Sequence, residues 1–402
     1  MTIACSECAT LQDLPMLGQK AAAICPTCSS WLERTSGRSV TAALACAFAT
    51  FLLLFPANLL PLMSVSIIGM TRQSYIGSGV ASLWNDQWVI VAAAVAAFVI
   101  VLPFIRFGLL TLVLAYVRLG RQPLWLGRAF RWAMHLDQWA MPDVFLIALA
   151  IGYSRVATNL TVSIEAGGLC LIAAALLCML TRATIDRRTI WRAIAAERMV
   201  DASDEPVLAC QVCELVLPAD AQGCPCPRCG LRLSGRKPVA NGRTVALLIG
   251  GLLLYFPANL YPMSIAVQLG APVSHRIIDG IEELFQAGLW PLAVIIFTTS
   301  VAIPLLKILG MGWLLLSIRR RSARHLVLKT HCYRLIDELG RWSSVDVFTI
   351  AVFAPLMQFG ALANARAAAG APAFILVVVL TMLASRAFDP RIMWDAALGQ
   401  PS

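Results

Sequence analysis

The sequence predicts an all-α polytopic membrane protein: eight transmembrane helices in two tandem four-helix modules, each preceded by a small rubredoxin-like four-cysteine zinc domain. Composition supplies the first reason. Of 402 residues, 59% are hydrophobic and 13% charged, roughly half the charged share of a soluble domain, and mean hydropathy is +0.76. The second reason is a cysteine pattern that occurs twice: Cys5-x-x-Cys8 with Cys25-x-x-Cys28, then Cys210-x-x-Cys213 with Cys226-x-x-Cys229. The third is a duplicated phrase, Phe55-Pro-Ala-Asn-Leu-Leu-Pro61 and Phe256-Pro-Ala-Asn-Leu-Tyr-Pro262. Self-similarity at a fixed spacing marks a repeated structural unit.

Residues 1–36 form the first cysteine domain and 199–238 the second. A Cys-x-x-Cys turn sets two thiolates on one side of a tight loop. Two such turns complete a tetrahedral four-sulfur site, which suits Zn2+, with iron the alternative in the same geometry. The loops between paired turns hold 16 and 12 residues, and Pro26, Pro225, Pro227 and Gly230 shape the turns. Two metal ions are therefore expected, in a reducing compartment where disulfides do not persist. A closed four-cysteine site has no open position for hydrolytic chemistry. A redox-switching thiol cluster is the sharper alternative to a structural metal. Cys224 is spare beside the ligands Cys226 and Cys229. Cys46, Cys170 and Cys178 read as small packing residues of apolar spans, and Cys332 as inert.

Residues 37–198 make the first module, with spans at about 40–60, 88–117, 140–160 and 166–181. Residues 239–402 make the second, with spans at about 244–262, 289–317, 344–364 and 370–385. The second span of each set approaches thirty residues, so it tilts or projects from the bilayer. Pro56, Asn58 and Pro61 recur as Pro257, Asn259 and Pro262. At the same spacing Pro103 recurs as Pro304 and Arg106 as Lys307. At nearly that spacing Trp139, Asp143, Val144 and Phe145 recur as Trp342, Asp346, Val347 and Phe348, and Trp191 as Trp394.

Each duplicated phrase ends a first span. Its two prolines are expected to break the helix, with Asn58 or Asn259 satisfying freed backbone groups. A lipid-facing mouth or partner contact is the functional alternative. Residues 264–270 and 273–278 then flank a Gly-Ala-Pro turn and read as a β-hairpin. A brief helix capped by Asp279 follows, running to Ala287. Residues 64–86 hold a weaker version.

Basic residues set the orientation. Arg118, Arg121, Arg128 and Arg131 lie in 118–138, seven Lys or Arg in 319–343, and ten in 182–243. The opposite loops hold only Arg72, Arg155, Arg276 and Arg366, one each. Both termini and both cysteine domains are therefore expected in the cytoplasm. The formal charge of +10 follows from this topology beside anionic lipid and needs no nucleic acid. The N-terminus reads as a polar, Cys-bearing segment and not as a secretory signal.

Arg106 and Lys307 sit within apolar helices, and Asp143 and Asp346 near the cytoplasmic start of the next helix. Chain direction brings the members of each pair to similar depth. Two intramembrane ion pairs are expected, Arg106–Asp143 and Lys307–Asp346. Such groups are costly unless paired. They serve either as packing pairs that fix helix register or as a proton or lipid-headgroup site. Arg106 keeps its proton, whereas a desolvated lysine can release one. The second repeat is thus the better candidate for proton-coupled chemistry.

Twin four-cysteine knuckles, each followed by four spans with a Pro-Ala-Asn-Leu-x-Pro phrase, resemble the paraquat-inducible protein A family, PqiA/LetA-like inner-membrane lipid-transport proteins. The resemblance covers essentially the whole chain. It implies rubredoxin-like zinc ribbons, tetraspanin- or claudin-type membrane modules, and a bacterial inner-membrane protein. It also implies phospholipid as cargo and a periplasmic MCE-domain tunnel protein as partner, the chain itself being monomeric within a larger complex. Asp143 and Asp346 carry over best. The first repeat departs at Thr184-Ile-Asp-Arg-Arg188, where the second has Phe388-Asp-Pro-Arg391.

No Walker A motif, HExxH motif or nucleophile elbow is present, and no enzymatic activity is expected. The function read here is lipid loading or receipt for a periplasmic tunnel. A membrane-bound redox or metal stress sensor using the four-cysteine domains is the alternative. A small-solute secondary transporter fits the buried charges but not the knuckles, and parallel repeats differ from the inverted repeats common in transporters.

Overall fold

The computed structural model describes residues 2–14, 18, 21–34, 39–67, 70–157, 161–195, 207–268, 271–356 and 363–398. The chain is mostly helical. Four short strands, β1 (Thr2–Ala4), β2 (Leu11–Asp13), β3 (Ala22–Ile24) and β4 (Trp31–Arg34), pair as two antiparallel hairpins, β1 with β2 and β3 with β4. Each hairpin carries one Cys-x-x-Cys turn at its tip. α1 (Val40–Leu59) follows, capped by the Ser39 hydroxyl, which accepts from the Ala42 amide at 3.3 Å.

Next come β5 (Met63–Ile67), β6 (Met70–Ser74), α2 (Ile76–Asn85) and the thirty-residue helix α3 (Val89–Arg118). A short α4 (Leu126–His135) leads to α5 (Pro142–Ala157). Strand β7 (Thr161–Ile164), α6 (Ala166–Thr184) and α7 (Arg187–Ile194) complete the first set. The same succession then recurs. The second cysteine domain contains β8 (Val207–Ala209) and β9 (Val216–Pro218). It is followed by α8 (Ala240–Leu260), β10 (Ser264–Gln268), β11 (Ala271–His275), α9 (Ile277–Gln286) and α10 (Trp290–Arg319). The chain ends with α11 (Leu326–Leu339), α12 (Val345–Leu356), β12 (Ala363–Ala367), α13 (Gly370–Ala387) and α14 (Arg391–Leu398).

Six of these helices are long and apolar enough to cross a membrane: α1, α3, α6, α8, α10 and α13. The two other expected spans, α5 and α12, have 16 and 12 described residues. At about 1.5 Å per residue, neither described length reaches a hydrocarbon core of about 30 Å. Both lie at the centre of the molecule and pack on one another. Phe145 meets Phe348 edge-on with ring centroids 5.8 Å apart. The Ser344 hydroxyl lies 3.3 Å from the Met141 sulfur. The largest buried cluster, which includes Val144, Phe145, Phe348, Val352 and Phe374, surrounds this seam.

Both thirty-residue helices contain a π-helical stretch at the same place, Ala96–Val101 and Phe297–Ala302. Pro103 and Pro304 follow directly. A proline has no amide hydrogen and its ring clashes with the carbonyl four residues back. The widened turn relieves this, with the Leu102 amide reaching back to Ala97 and the Ile303 amide to Thr298.

The prolines of the duplicated phrase divide their work differently from the expectation. Pro56 and Pro257 lie inside α1 and α8, which continue to Leu59 and Leu260. The helices stop at the second prolines, Pro61 and Pro262. The asparagines do satisfy backbone carbonyls: Asn58 Nδ2 donates to Leu54 O at 2.7 Å and Asn259 Nδ2 to Tyr255 O at 2.8 Å. The terminal turns then seat on the start of the last long helix. The Gly167 amide donates to Pro61 O, and that of Gly370 to Pro262 O. A Cβ at Gly167 would lie 2.4 Å from Leu60 O, and at Gly370 2.7 Å from Tyr261 O. Only glycine allows that approach.

The hairpin at 264–275 forms with Ser264 opposite His275, and the first repeat pairs Met63 with Ser74. Each gains a third strand that hydropathy did not reveal, β7 beside β5 and β12 beside β10. The helix after the hairpin is α9. Asp279 Oδ2 accepts the Arg276 amide at 3.0 Å from the third helical position, so Asp279 caps from inside the helix.

Candidate metal centres and a buried polar network

The eight predicted cysteine ligands converge in two groups, Cys5, Cys8, Cys25 and Cys28, and Cys210, Cys213, Cys226 and Cys229. All eight are buried, with the sulfurs of each group within 4.8 Å of one another. Cys5–Cys28 and Cys8–Cys25 approach to 3.5 and 3.6 Å, and Cys210–Cys229 and Cys213–Cys226 both to 3.5 Å. A tetrahedron with metal–sulfur bonds of about 2.3 Å has sulfur–sulfur edges of about 3.8 Å. The donor sets fit such an ion.

The four turns are built alike. In each, the amide of the residue four after the first cysteine donates back to that cysteine's carbonyl: Ala9 to Cys5, Ser29 to Cys25, Glu214 to Cys210 and Gly230 to Cys226. Those residues have φ of 62°, 58°, 58° and 68°. Three of the four are not glycine, so a left-handed conformation costing roughly 1–2 kcal/mol each is tolerated to aim the thiols. Hydrogen bonds among the thiols lower Cys5 and Cys226 and raise Cys8, Cys28, Cys213 and Cys229, so four sulfurs this close share few protons among them.

The two cysteine domains meet both repeats. Glu33, 4% exposed, receives both ends of the Arg192 guanidinium at 2.9 and 3.0 Å, and Arg188 reaches Glu214. One helix, α7, therefore grips both domains. On the other side Arg236 holds Asp395 of α14 at 2.6 and 2.7 Å. The first domain packs on Trp394, and Arg391 Nε donates to Ser6 O at 3.0 Å. The second packs against α4, where Gly127 lies under Arg228.

Within the membrane blocks the expected pairings are not the ones formed. Arg106, 1% exposed, pairs with Asp137 at 2.5 Å and not with Asp143. Asp143 is held instead by Arg182 Nη1 at 2.5 Å, and Arg182 Nε also reaches Asp137 Oδ1 at 2.8 Å. Sequence reasoning missed Asp137 and Arg182 because each lies at an element end, where a charge looks like an ordinary solvated residue. Burial alone would raise Asp137, but Arg106 and Arg182 outweigh it and hold its carboxyl well below the usual range. The physical reason for the exchange is reach. Asp137 sits in the turn before α5, which folds across the face of α3 that presents Arg106.

Lys307, also 1% exposed, donates to Thr381 Oγ1 at 3.0 Å and not to Asp346. It lies against Gly340, where an added Cβ would stand 3.1 Å from Nζ. Elsewhere the second repeat also buries Ser300, Ser343, Ser344 and Thr349. The first repeat has Val99, Ala140, Met141 and Leu146 at the positions of Ser300, Ser343, Ser344 and Thr349. Polar lining is thus concentrated in one of two similar blocks.

The family comparison decides what kind of chain this is. The family model described as Paraquat-inducible protein A matches twice, over residues 40–195 and 242–397. The chain belongs to this family. Over 98% of its length it is 29% identical to the intermembrane transport protein PqiA of Escherichia coli K12, covering 95% of that protein. It is 27% identical to the lipophilic envelope-spanning tunnel protein A of the same organism, over 98% of this chain and 91% of that one. A probable intermembrane transport protein of Haemophilus influenzae is 26% identical over 97% and 95%. No solved structure matches the chain. With its six apolar long helices, this family member is a multi-pass membrane protein.

Proposed function

We propose that the protein is the inner-membrane component of an intermembrane phospholipid transport system, loading or receiving lipid for a periplasmic MCE-domain tunnel protein. Its relatives' names, intermembrane transport protein and envelope-spanning tunnel protein, support transport between membranes. The observation that carries the reading is Lys307. It is a buried amine in a helix of membrane-spanning length, with the Thr381 hydroxyl as its hydrogen-bond partner. An ammonium in such a place is expensive, and a place that keeps it is a functional candidate.

In this reading the two repeats are four-helix modules, 37–198 and 239–402. The third helices, α5 and α12, bring the spans to eight. Both termini and both rubredoxin-like domains, 1–36 and 199–238, lie in the cytoplasm. Each domain holds one Zn2+ in a structural role, bracing the helix ends through α7 and α14. The Lys307–Thr381 site, together with Asp346 at the start of α12, couples proton movement to lipid movement. The Arg106–Asp137–Arg182–Asp143 network of the first repeat holds its charge fixed.

The test is lipid transfer between membranes in cells or reconstituted vesicles. Lys307→Ala and Asp346→Ala abolish transfer at normal protein levels, while Arg106→Lys retains part of it. Full transfer by both second-repeat variants refutes the coupling.

A further inference from the structure

Where the two repeats meet, at the C-terminal ends of α6 and α13, lies a polar cavity of about 430 Å³. That is within the range of small-ligand sites, about 300–1,000 Å³. Five guanidiniums line it: Arg106, Arg182, Arg187, Arg341 and Arg386. Three carboxylates oppose them, Asp137, Asp337 and Glu338, leaving an excess of two positive charges. Both repeats contribute in parallel. Each long terminal helix carries an arginine in its last turn, Arg182 or Arg386, and each preceding cytoplasm-side segment supplies an aspartate, Asp137 or Asp337.

The carboxylates are already occupied within the protein. Asp137 is held by Arg106 and Arg182. Asp337 Oδ1 accepts from Gln138 Nε2 and from the Ser385 hydroxyl, both at 2.9 Å. Glu338 accepts from Arg341 Nη2 at 2.9 Å. The guanidiniums keep donors in reserve. Arg106 Nε and Arg341 Nε are buried with no hydrogen-bond partner among the described residues. Arg187 is 65% exposed and touches Asp137 only at 3.9 Å. A buried guanidinium N–H without an acceptor is costly, and planar forked donors of this kind match phosphate oxygens.

We propose that this cavity binds the phosphate of a phosphate ester or free phosphate, held by Arg341 and Arg187 over a floor formed by Arg106 and Arg182. The proposal stands on the cavity and does not depend on the role of Lys307. An anion of one or two charges matches the excess, and the Asp137 and Asp337 carboxylates, each tied to donors from more than one side chain, leave it room. The shared chemistry is the phosphate group, whether carried by a phospholipid headgroup or free in solution.

The test uses the purified full-length protein in micelles. Titration with dihexanoylphosphatidylglycerol, inorganic phosphate and phosphate-free dihexanoylglycerol is followed by calorimetry. At least one phosphate probe binds saturably, and dihexanoylglycerol does not. The Arg187→Gln/Arg341→Gln variant weakens that binding by about tenfold or more, since a charged hydrogen bond is worth about that factor. Binding of the lipid that phosphate cannot displace identifies a headgroup site. Equal binding and mutual displacement identify a free-phosphate site. Absence of saturable binding by both phosphate probes, or affinity unchanged in the variant, overturns the proposal. Should the variant fail to fold, the wild-type protein decides alone: its affinity falls with rising ionic strength, and a salt-independent affinity overturns the proposal.

Discussion

Gly127→Ala tests whether the second cysteine domain is seated on the first repeat as described. Gly127 is the second residue of α4, and its Cα faces the carbonyl of Arg228 between two metal ligands. An added Cβ would stand 1.7 Å from that oxygen and 2.9 Å from its carbon. Ordinary contact begins at 3.4 Å, so the two backbones must part by about 1.7 Å. No rotamer relieves this, because both partners are main chain. Parting them strains the Arg228 Nη2 bond to Ala195 O, now 2.9 Å, and the Arg188–Glu214 pair. Overpacking of this kind costs about 1–3 kcal/mol. Helix propensity works the other way, favouring alanine by about 0.5–1 kcal/mol. The net is a loss of about 1 kcal/mol, or roughly fivefold faster release of metal from the second site to a chelator. The control is Gly312→Ala in α10, where nothing lies within 4 Å of the added Cβ; its melting temperature stays level or rises. If Gly127→Ala releases metal no faster than wild type and melts no lower, the docking geometry is wrong.

Cys8→Ser and Cys213→Ser each reduce bound metal by one equivalent per chain in elemental analysis, and the double variant holds none; two equivalents in either single variant refute the ligand sets. Arg182→Met leaves Asp137 and Asp143 without their shared cation, and breaking a buried pair costs about 3–5 kcal/mol, visible as a lower melting temperature in detergent. Lys237→Met strips donors from Arg386 O and Phe388 O, held at 2.7 and 2.8 Å, and lowers stability by about 1–3 kcal/mol. His135 is pushed below its ordinary value by burial, then by Arg386 and Arg131. Its neutral Nδ1 accepts from Arg386 Nη1 at 2.8 Å. A depressed histidine favours folding above its ordinary value of 6.5 and loses that advantage as pH falls through it. Melting temperature therefore drops between pH 7.5 and 5.5, and drops less in His135→Gln.

Ligands and helices were legible because their signals are local. A Cys-x-x-Cys turn needs a fixed spacing, and a membrane helix needs a long apolar run. The eight cysteines and the six longest helices come directly from those rules. The third helices were legible as apolar but not in their extent: α5 and α12 are buried against each other, so apolar character there reports a protein seam as well as a bilayer. Strands β7 and β12 are short and pair with partners far away in sequence, which no local pattern reveals. The ion pairs failed for a related reason. Helix direction gives depth, but which carboxylate meets Arg106 depends on how the turn at Asp137 folds back, and that is tertiary. Asp143 is a buried acid, 1% exposed; its partner, Arg182, stands in the sequence as one of ten basic residues in 182–243.

The duplication itself explains why one repeat can be rigid where the other is polar. In the first repeat, Arg106, Asp137, Arg182 and Asp143 form a chain of direct charge–charge contacts at 2.5 to 2.8 Å. Any helix shift there must separate opposite charges in a low-dielectric setting, which is costly. In the second, Lys307 meets a hydroxyl, and serines and threonines replace Val99, Met141 and Leu146. Hydroxyls rotate and serve as donor or acceptor, so the same helix movement costs far less. The two blocks are joined at the α5–α12 seam and again through α7, α14 and the cysteine domains. With one block fixed and the other compliant, movement concentrates on the second repeat. Hydrogen exchange resolves this directly: amides of α10 and α12 exchange faster than those of α3 and α5, and equal protection across the two repeats contradicts it.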